Sequence, residues 1–425
     1  MSSTAPDVSP VARRARVAVS TVFLVNAVLY ANLVPRLPEV KDRLDLTNAA
    51  LGSAIAAMPF GALLAGLLAP VLIQRLGSAA VASFGLVALA AAVAAVPLAG
   101  SWAVLAALFM VAGALDAIID VAQNAHGFRV QRLYGRSIVN AFHGLWSVGA
   151  VLGGLLGSAA AGLGIPLRGH VATTSAVFAV VAVVAYRFLL RGPEDAERPD
   201  GRADEHDDPA PGTPPARRPL RAVTRSAVLM LAALGVLAAC GAFVEDAGSS
   251  WGALYLRGEV GVGAAAAGLA FVALQLAMTV GRLTGDRVVD RFGQRRVARV
   301  GGVAITLGMG LALGLPSLAT TLVGFVLAGL GVATLIPAAM HTADELPGLP
   351  AGVGLTVVSW LLRVGFLVSP MLVGLVADAT SLRVALLGVV GAGVVVAVLG
   401  RVLLAGPSDH ADLPPVPAGP AAPPA

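Results

Sequence analysis

Residues 285–296 read GDRVVDRFGQRR, a short hydrophilic stretch held between two apolar runs at 264–286 and 297–315. Each flanking run offers about 20 mostly apolar residues, the length a helix needs to cross the hydrocarbon core of a bilayer. Moving outward, the same alternation continues to both ends. Apolar segments occupy 17–35, 49–73, 79–98, 102–123, 138–163 and 171–190, then 226–248, 264–286, 297–315, 317–340, 352–376 and 383–404. The reading is an all-α polytopic membrane protein of about twelve spanning helices.

The quoted stretch also has a counterpart. Arg75-Leu76-Gly77 aligns with Arg291-Phe292-Gly293, Gly52 with Gly268, Gly113 with Gly329 and Gly149 with Gly365, all at one offset (293 − 77 = 216). Four separate segments sharing one offset indicate a duplicated six-helix unit. Because an even number of spans precedes the second copy, the halves enter from the same side and form parallel pseudo-repeats. The expected organisation is an N-terminal segment 1–16, a bundle 17–190, a linker 191–225, a bundle 226–404 and a tail 405–425. The linker contains PEDAERPDGRADEHDDPAPGTPPARRP, and the tail ends PPVPAGPAAPPA. Neither can bury enough apolar surface to offset ordering, so both are expected to be disordered.

Composition excludes the main alternatives. Hydrophobic residues make up 57% and charged residues 12% of 425, and Lys41 is the only lysine. A soluble protein carries roughly 25% charged residues, so a soluble enzyme does not fit. The net charge of +5 does not mark a nucleic-acid binder, because the arginines sit at the ends of apolar segments and not on a soluble basic face. Arg13, Arg14 and Arg16 precede a first run long enough to span, so that run is read as a retained helix and not a cleaved leader. With the N-terminus inside, the cytoplasmic side gathers most arginines, while Arg36, Lys41, Arg43, Arg168, Arg257 and Arg383 fall outside. Both termini are therefore expected in the cytoplasm of a bacterial cell, with the chain in its inner membrane. Cys240 is the single cysteine, and no GxxxxGK[ST], HExxH, CxxC or dinucleotide turn occurs. No enzymatic chemistry, metal or cofactor is expected.

GDRVVDRFGQRR resembles the loop signature between the second and third helix of each half in the major facilitator superfamily, and the resemblance covers Val17 to Leu404. It implies a cytoplasmic gate formed by Asp290, Arg291, Arg295 and Arg296, with Arg75 in the first half, where Gln74 stands in place of the usual Asp. Phe109 replaces an arginine often found in the fourth helix, and the fifth-helix run GAVLGGLLG (149–157) lacks the Gly-Pro of drug–proton antiporters. RLPEVKDRLDL and EDAGSSWGALYL resemble the bacterial sugar-permease branch. The resemblance implies alternating access, with a small solute passing between two rocking halves of a monomer.

Charges inside the membrane cost roughly 2.5–3.5 kcal/mol each on the insertion scale, so they mark functional candidates. Asp116 and Asp120 lie four apart on the fourth helix and share a face with Asn124. Either acid can load and release a proton, or simply bond neighbouring helices. His143 is placed at the depth of Asp120 as a possible partner. Asn26, Tyr30, Trp146, Gln275, Trp360 and Arg363 are candidates to line a solute cavity, with Arg363 facing a carboxylate such as Asp116 or an anionic solute group. Glu245 and Asp246 are placed near the outer end of the seventh helix, which GSS is expected to break, and Arg282 is read as snorkelling to the interface. The leading expectation is proton-coupled transport of a small organic solute. Drug–proton efflux is the second, and a non-transporting sensor or scaffold on the same fold is the third.

Overall fold

The computed structural model describes residues 9–134, 138–192, 194, 196, 225–346 and 353–404. Most of the linker, the tail from 405 and the first eight residues lie outside the described residues. Among the described residues, 12 helical spans are long and apolar enough to cross a membrane. In chain order they are α1 (Pro10–Arg43), α2 (Asn48–Leu76), α3 (Ser78–Leu98), α4 (Trp102–Tyr134), α5 (Ala141–Gly162), α6 (Leu167–Tyr186), α7 (Arg225–Gly258), α8 (Ala264–Phe292), α9 (Gln294–Gly314), α10 (Leu318–Asp344), α11 (Val353–Ala379) and α12 (Leu382–Val402).

The helices pair in the same pattern twice. In the first half α1 packs on α5, α2 on α4, and α3 on α4 and α6. In the second, α7 packs on α11, α8 on α10, and α9 on α10 and α12. The repeated glycines explain why. A Cβ on Gly113 would strike the backbone of Met58, and one on Gly329 the backbone of Leu274. Gly149 abuts Leu24 and Ala27, as Gly365 abuts Ala239 and Ala242. Within lipid no hydrophobic force drives helices together, so close backbone approach through small residues is what holds these pairs. Gly77 (φ 82°) and Gly293 (φ 77°) turn the chain between α2 and α3 and between α8 and α9 in a left-handed conformation that a side chain would strain.

The first helix of each half is distorted at the same level. α1 is regular from Pro10 to Ala31, tightens to a 3₁₀ turn at Val34–Arg36 and resumes at Leu37–Arg43. α7 is regular from Arg225 to Asp246, widens to a π-helical turn at Ala247–Trp251 and resumes at Gly252–Gly258. The expected break after residue 248 is therefore a widened turn inside a continuous span, which keeps the backbone hydrogen-bonded in the bilayer.

The halves meet most closely at the end away from the termini. There Gly52 of α2 lies on the Pro370 carbonyl of α11, Gly374 on the Asn48 carbonyl, and Gly268 of α8 on Ser158 of α5. The Asp378 carboxylate accepts hydrogen bonds from the backbone N–H groups of Asn48 (2.8 Å) and Ala49 (2.7 Å), and Arg257 pairs with Asp42 at 3.2 Å. Below these contacts α2 and α11 separate, and a cavity opens between Met58 and Pro59 on one side and Arg363 and Phe366 on the other.

Arginines at this end have local partners. Arg36 is buried, ion-paired to Glu39 (2.6 Å) and bonded to the Ile165 carbonyl (2.8 Å), while Arg43 donates to the carbonyls of Pro97, Val96 and Ala99. These cations hold loops, which is why they depart from the arginine bias. At the other end, the first residues of the expected linker are docked. Glu194 accepts from the Ser78 N–H (2.7 Å) and pairs with the buried Arg129 (3.3 Å). His126 bridges the Ser78 hydroxyl (2.8 Å) and the Leu190 N–H (3.0 Å).

Candidate functional site

A cavity of about 380 Å³ lies between the halves at mid-span. α1 contributes Asn26 and Tyr30, α4 Asp116, α5 Trp146, α7 Glu245, Asp246, Ser249 and Ser250, α8 Phe271 and Gln275, and α11 Arg363 and Phe366. The volume falls at the lower end of the roughly 300–1,000 Å³ of small-molecule sites.

On the first-half wall, the Trp146 indole donates to the Asn26 carbonyl oxygen (2.8 Å), and the Asn26 amide donates to Asp116 Oδ1 (2.9 Å). Three helices are thereby tied to one carboxylate, which sits in the middle of α4 and not at a helix end. On the second-half wall, Asp246 accepts from Ser250 (2.5 Å) and from Ser369 of α11 (2.6 Å), one hydroxyl on each oxygen. Glu245 pairs with Arg282 at 3.6 Å. Arg282 therefore turns inward to an acid, in place of the expected snorkelling.

Several expected residues fall elsewhere. Asp120 is exposed, receives Asn124 (3.1 Å) and Gln123 (3.3 Å), and does not line the cavity. His143 bonds to the Asn124 side-chain oxygen (3.1 Å), so the amide stands between the imidazole and the Asp120 carboxylate expected as its partner. Asn124 serves this second network and does not line the cavity, because α4 continues to Tyr134 and carries it past the cavity floor. Trp360 is 61% exposed and also stands outside the cavity. It lies nearly one helical turn before Arg363, toward the end where the halves part. Arg363 lines the cavity with Asp116 but forms no ion pair with it. Glu245 and Asp246 are not at an outer helix end but at mid-span, since α7 runs on to Gly258.

The residues implied as a gate lie on the terminal side. Asp290, Arg291 and Arg75 are exposed, Arg291 sits 5.6 Å over the Phe292 ring, and Arg295 donates to the Leu403 carbonyl (3.3 Å). Arg296 also follows the Gly293 turn.

Comparison with known proteins matches the chain in sequence and in overall fold. The family model described as Major Facilitator Superfamily matches residues 19–257 and again 238–424. The chain belongs to the major facilitator superfamily. Members of this superfamily are transporters and not enzymes. An uncharacterised MFS-type transporter of Yersinia pestis is 28% identical over 363 residues, covering 85% of this chain and 89% of that one. Membrane protein MosC of Rhizobium meliloti is 29% identical over 380 residues, covering 89% and 88%. Among solved structures, a bacterial homologue of the human lysosomal transporter Spinster, inward-facing and occupied, superposes with a TM-score of 0.71 at 16% identity over 92% of this chain and 96% of its own. A variant of the nucleoside transporter NupG gives 0.70 at 13% identity over 91% and 98%. The outward-facing FucP gives 0.56 at 15% identity over 91% and 97%. At these identities the structures establish the fold alone.

The sequence reading missed Phe271, Phe366 and the two serines on Asp246. Ser250 carries a signal, lying four residues after the acid and so on the same face. Ser369, 123 positions away, carries none.

Proposed function

We propose that this transporter moves a small polar organic solute by proton-coupled alternating access, with Asp116 as the carboxylate that loads and releases the proton. The observation that carries the reading is the placement of Asp116. It is an acid at mid-span, facing a cavity between the halves and held by a single neutral donor, Asn26 at 2.9 Å. A carboxylate so placed is costly to keep charged unless a cation or a proton occupies it, which couples its protonation to the contents of the cavity. Asp120, Asn124 and His143 lie along the next turns toward the terminal side and form a hydrogen-bonded group of their own, between Asp116 and that end.

The arginine bias supports placing both termini in the cytoplasm of a bacterial inner membrane, and bacterial relatives agree with that assignment. The structure is then inward-facing, closed at the outer end by the α2–α11 and α5–α8 contacts. Asp290, Arg291, Arg295 and Arg296, with Arg75 opposite, would close the cytoplasmic end when the cavity opens outward. The monomer holds a complete cavity and suffices for transport. Drug–proton efflux is favoured by three acids at the cavity, but the volume of about 380 Å³ suits a smaller solute than most amphiphilic drugs. A non-transporting scaffold would have no use for the charges that line the cavity.

The test is gradient-driven flux in proteoliposomes with wild type, Asp116→Asn and Asp120→Asn. Asp116→Asn is expected to abolish accumulation against a gradient, and Asp120→Asn to slow accumulation without abolishing it. Accumulation that is indifferent to Asp116→Asn sinks the assignment.

A further inference from the structure

The unused bonding capacity of the cavity defines what fills it. Both oxygens of Asp246 are taken by serine hydroxyls, and Glu245 is taken by Arg282. Asp116 has one oxygen on Asn26, leaving Oδ2 without a partner among the described residues. Arg363 of α11 lines the same cavity, is exposed, and has no hydrogen-bond or ion-pair partner among the described residues. Gln275 is only 7% exposed, and its side-chain amide also has no partner among the described residues, although it lines the same cavity. The polar atoms of that amide are accessible from the cavity, so they are free to bond a ligand or water atom there.

We infer that the cavity takes a small zwitterion whose ammonium group binds Asp116 and whose carboxylate binds Arg363, with Gln275 bonding the polar part between them. This deepens the transport reading above and rests on it. The available negative charge belongs to the first half and the available positive charge to the second. A solute with one charge of each sign therefore pairs both and bridges the two halves that have to move against each other. A cation alone leaves Arg363 unpaired and repelling it, and an anion alone does the same at Asp116. At a separation of ~6 Å and an effective dielectric of about 20, one unmatched like-charge contact weakens binding on the order of a hundredfold. The guanidinium can grip a carboxylate through two parallel N–H donors, which a sugar hydroxyl does not exploit. Trp146, Phe271 and Phe366 leave apolar wall for a short hydrocarbon or ring spacer between the charged ends. The proton and the ammonium group compete for one carboxylate, so solute and proton bind in alternation. That is the arrangement of an exchanger.

Binding to the full-length protein in lipid nanodiscs tests this, using matched sets of probes: 5-aminovalerate, pentylamine, valerate and pentanol; phenylalanine, phenethylamine and hydrocinnamate; and trigonelline, N-methylpyridinium and nicotinate. At least one zwitterion is expected to bind about tenfold or more tightly than both its amine-only and acid-only counterparts. Arg363→Gln is expected to remove that advantage while leaving amine binding in place. Arg363→Lys, which keeps the charge but loses the paired donors, should fall between the two and serves if the Gln variant does not fold. Amines or uncharged probes binding as tightly as every zwitterion would overturn the inference, as would zwitterion binding that is indifferent to both Arg363 variants. If no zwitterion in the panel binds, it also fails. Proteoliposome flux separates the two readings. Proton-driven movement of an amine-only or uncharged probe would leave the transporter reading standing and overturn only the zwitterion. Zwitterion binding that needs both Arg363 and Asp116, with flux indifferent to an imposed pH gradient, would overturn only the coupling.

Discussion

Removing the Asp378 carboxylate is expected to shift this transporter about tenfold toward a state open at the outer end. Asp378 sits at the end of α11 and receives the first two free N–H groups of α2, at 2.8 and 2.7 Å, while Thr47 on the same turn receives the third, Ala50, at 3.1 Å. It therefore acts as a helix cap supplied by the opposite half. Water replaces it when the halves part, so the relevant magnitude is that of a cap exchanged for solvent, about 0.5–2 kcal/mol. A central value near 1.4 kcal/mol corresponds to a factor of ten in the equilibrium. The neighbouring Arg257–Asp42 pair is 39% and 60% exposed at its two side chains, and such pairs contribute about 0.2–1 kcal/mol. Asp378 should therefore dominate the closure of this end.

The assay is the distance between spin labels at Gly100→Cys and Gly314→Cys in a Cys240→Ser background. A side chain at either glycine meets nothing within 4 Å, and Cys240 is the chain's only cysteine. Asp378→Ala should raise the long-distance population relative to the short one about tenfold, and Arg257→Gln about twofold. Thr47→Ala removes the cap on Ala50 and one side-chain donor to Asp378, while the two backbone donors of α2 stay on the carboxylate. It should lower thermal stability and move the distance ratio less than Asp378→Ala does. An unchanged ratio in Asp378→Ala, or an equal shift in Thr47→Ala, would refute the idea that this carboxylate holds the halves together.

Two further outcomes follow from the same geometry. Gly52→Ala places a methyl group on the Pro370 carbonyl, a backbone atom that cannot swing aside, so the closed end should be disfavoured by about 1–3 kcal/mol and the same label pair should move apart. Ser369→Ala removes one of the two hydroxyls on the Asp246 carboxylate and should lower stability by about 1.5–3 kcal/mol in thermal or denaturant unfolding, with Ser369→Thr restoring most of it.

The architecture is legible in the chain because lipid imposes a single rule: about 20 apolar residues, then a polar turn. The 216-residue offset is legible too, since Gly113 and Gly329, or Gly149 and Gly365, occupy positions where only a missing side chain lets two backbones approach. The cavity is legible in part. Asn26, Tyr30, Asp116, Trp146, Gln275 and Arg363 stand out as polar or amphipathic groups in apolar surroundings, and all of them line it. Trp360 and Asn124 stand out in the same way and do not. Runs rich in Ala, Gly, Val and Leu carry little periodicity, so the sequence does not tell which side of α4 or α11 faces inward at each turn. Glu245 and Asp246 are the instructive miss. An acidic pair followed by Gly-Ser-Ser reads like a helix end, yet Ser250 and Ser369 satisfy Asp246, and Arg282 reaches Glu245. Partners 37 and 123 positions away leave no mark in the local pattern.

The widened turn at Ala247–Trp251 has a consequence for chain length. A π-helical turn stores one surplus residue in a helix that otherwise advances about 100° per residue. Removing a single residue elsewhere in α7 would rotate everything beyond it and turn Tyr255, which reaches the Ala312 carbonyl, away from its partner. Removing one at Ser249 would instead let the turn relax to ordinary α geometry with Glu245 and Asp246 still in place on one side and Gly252–Gly258 on the other. α7 thus carries slack at one point, beside the acids that line the cavity, and there the chain can be shortened by a residue without reorienting either end.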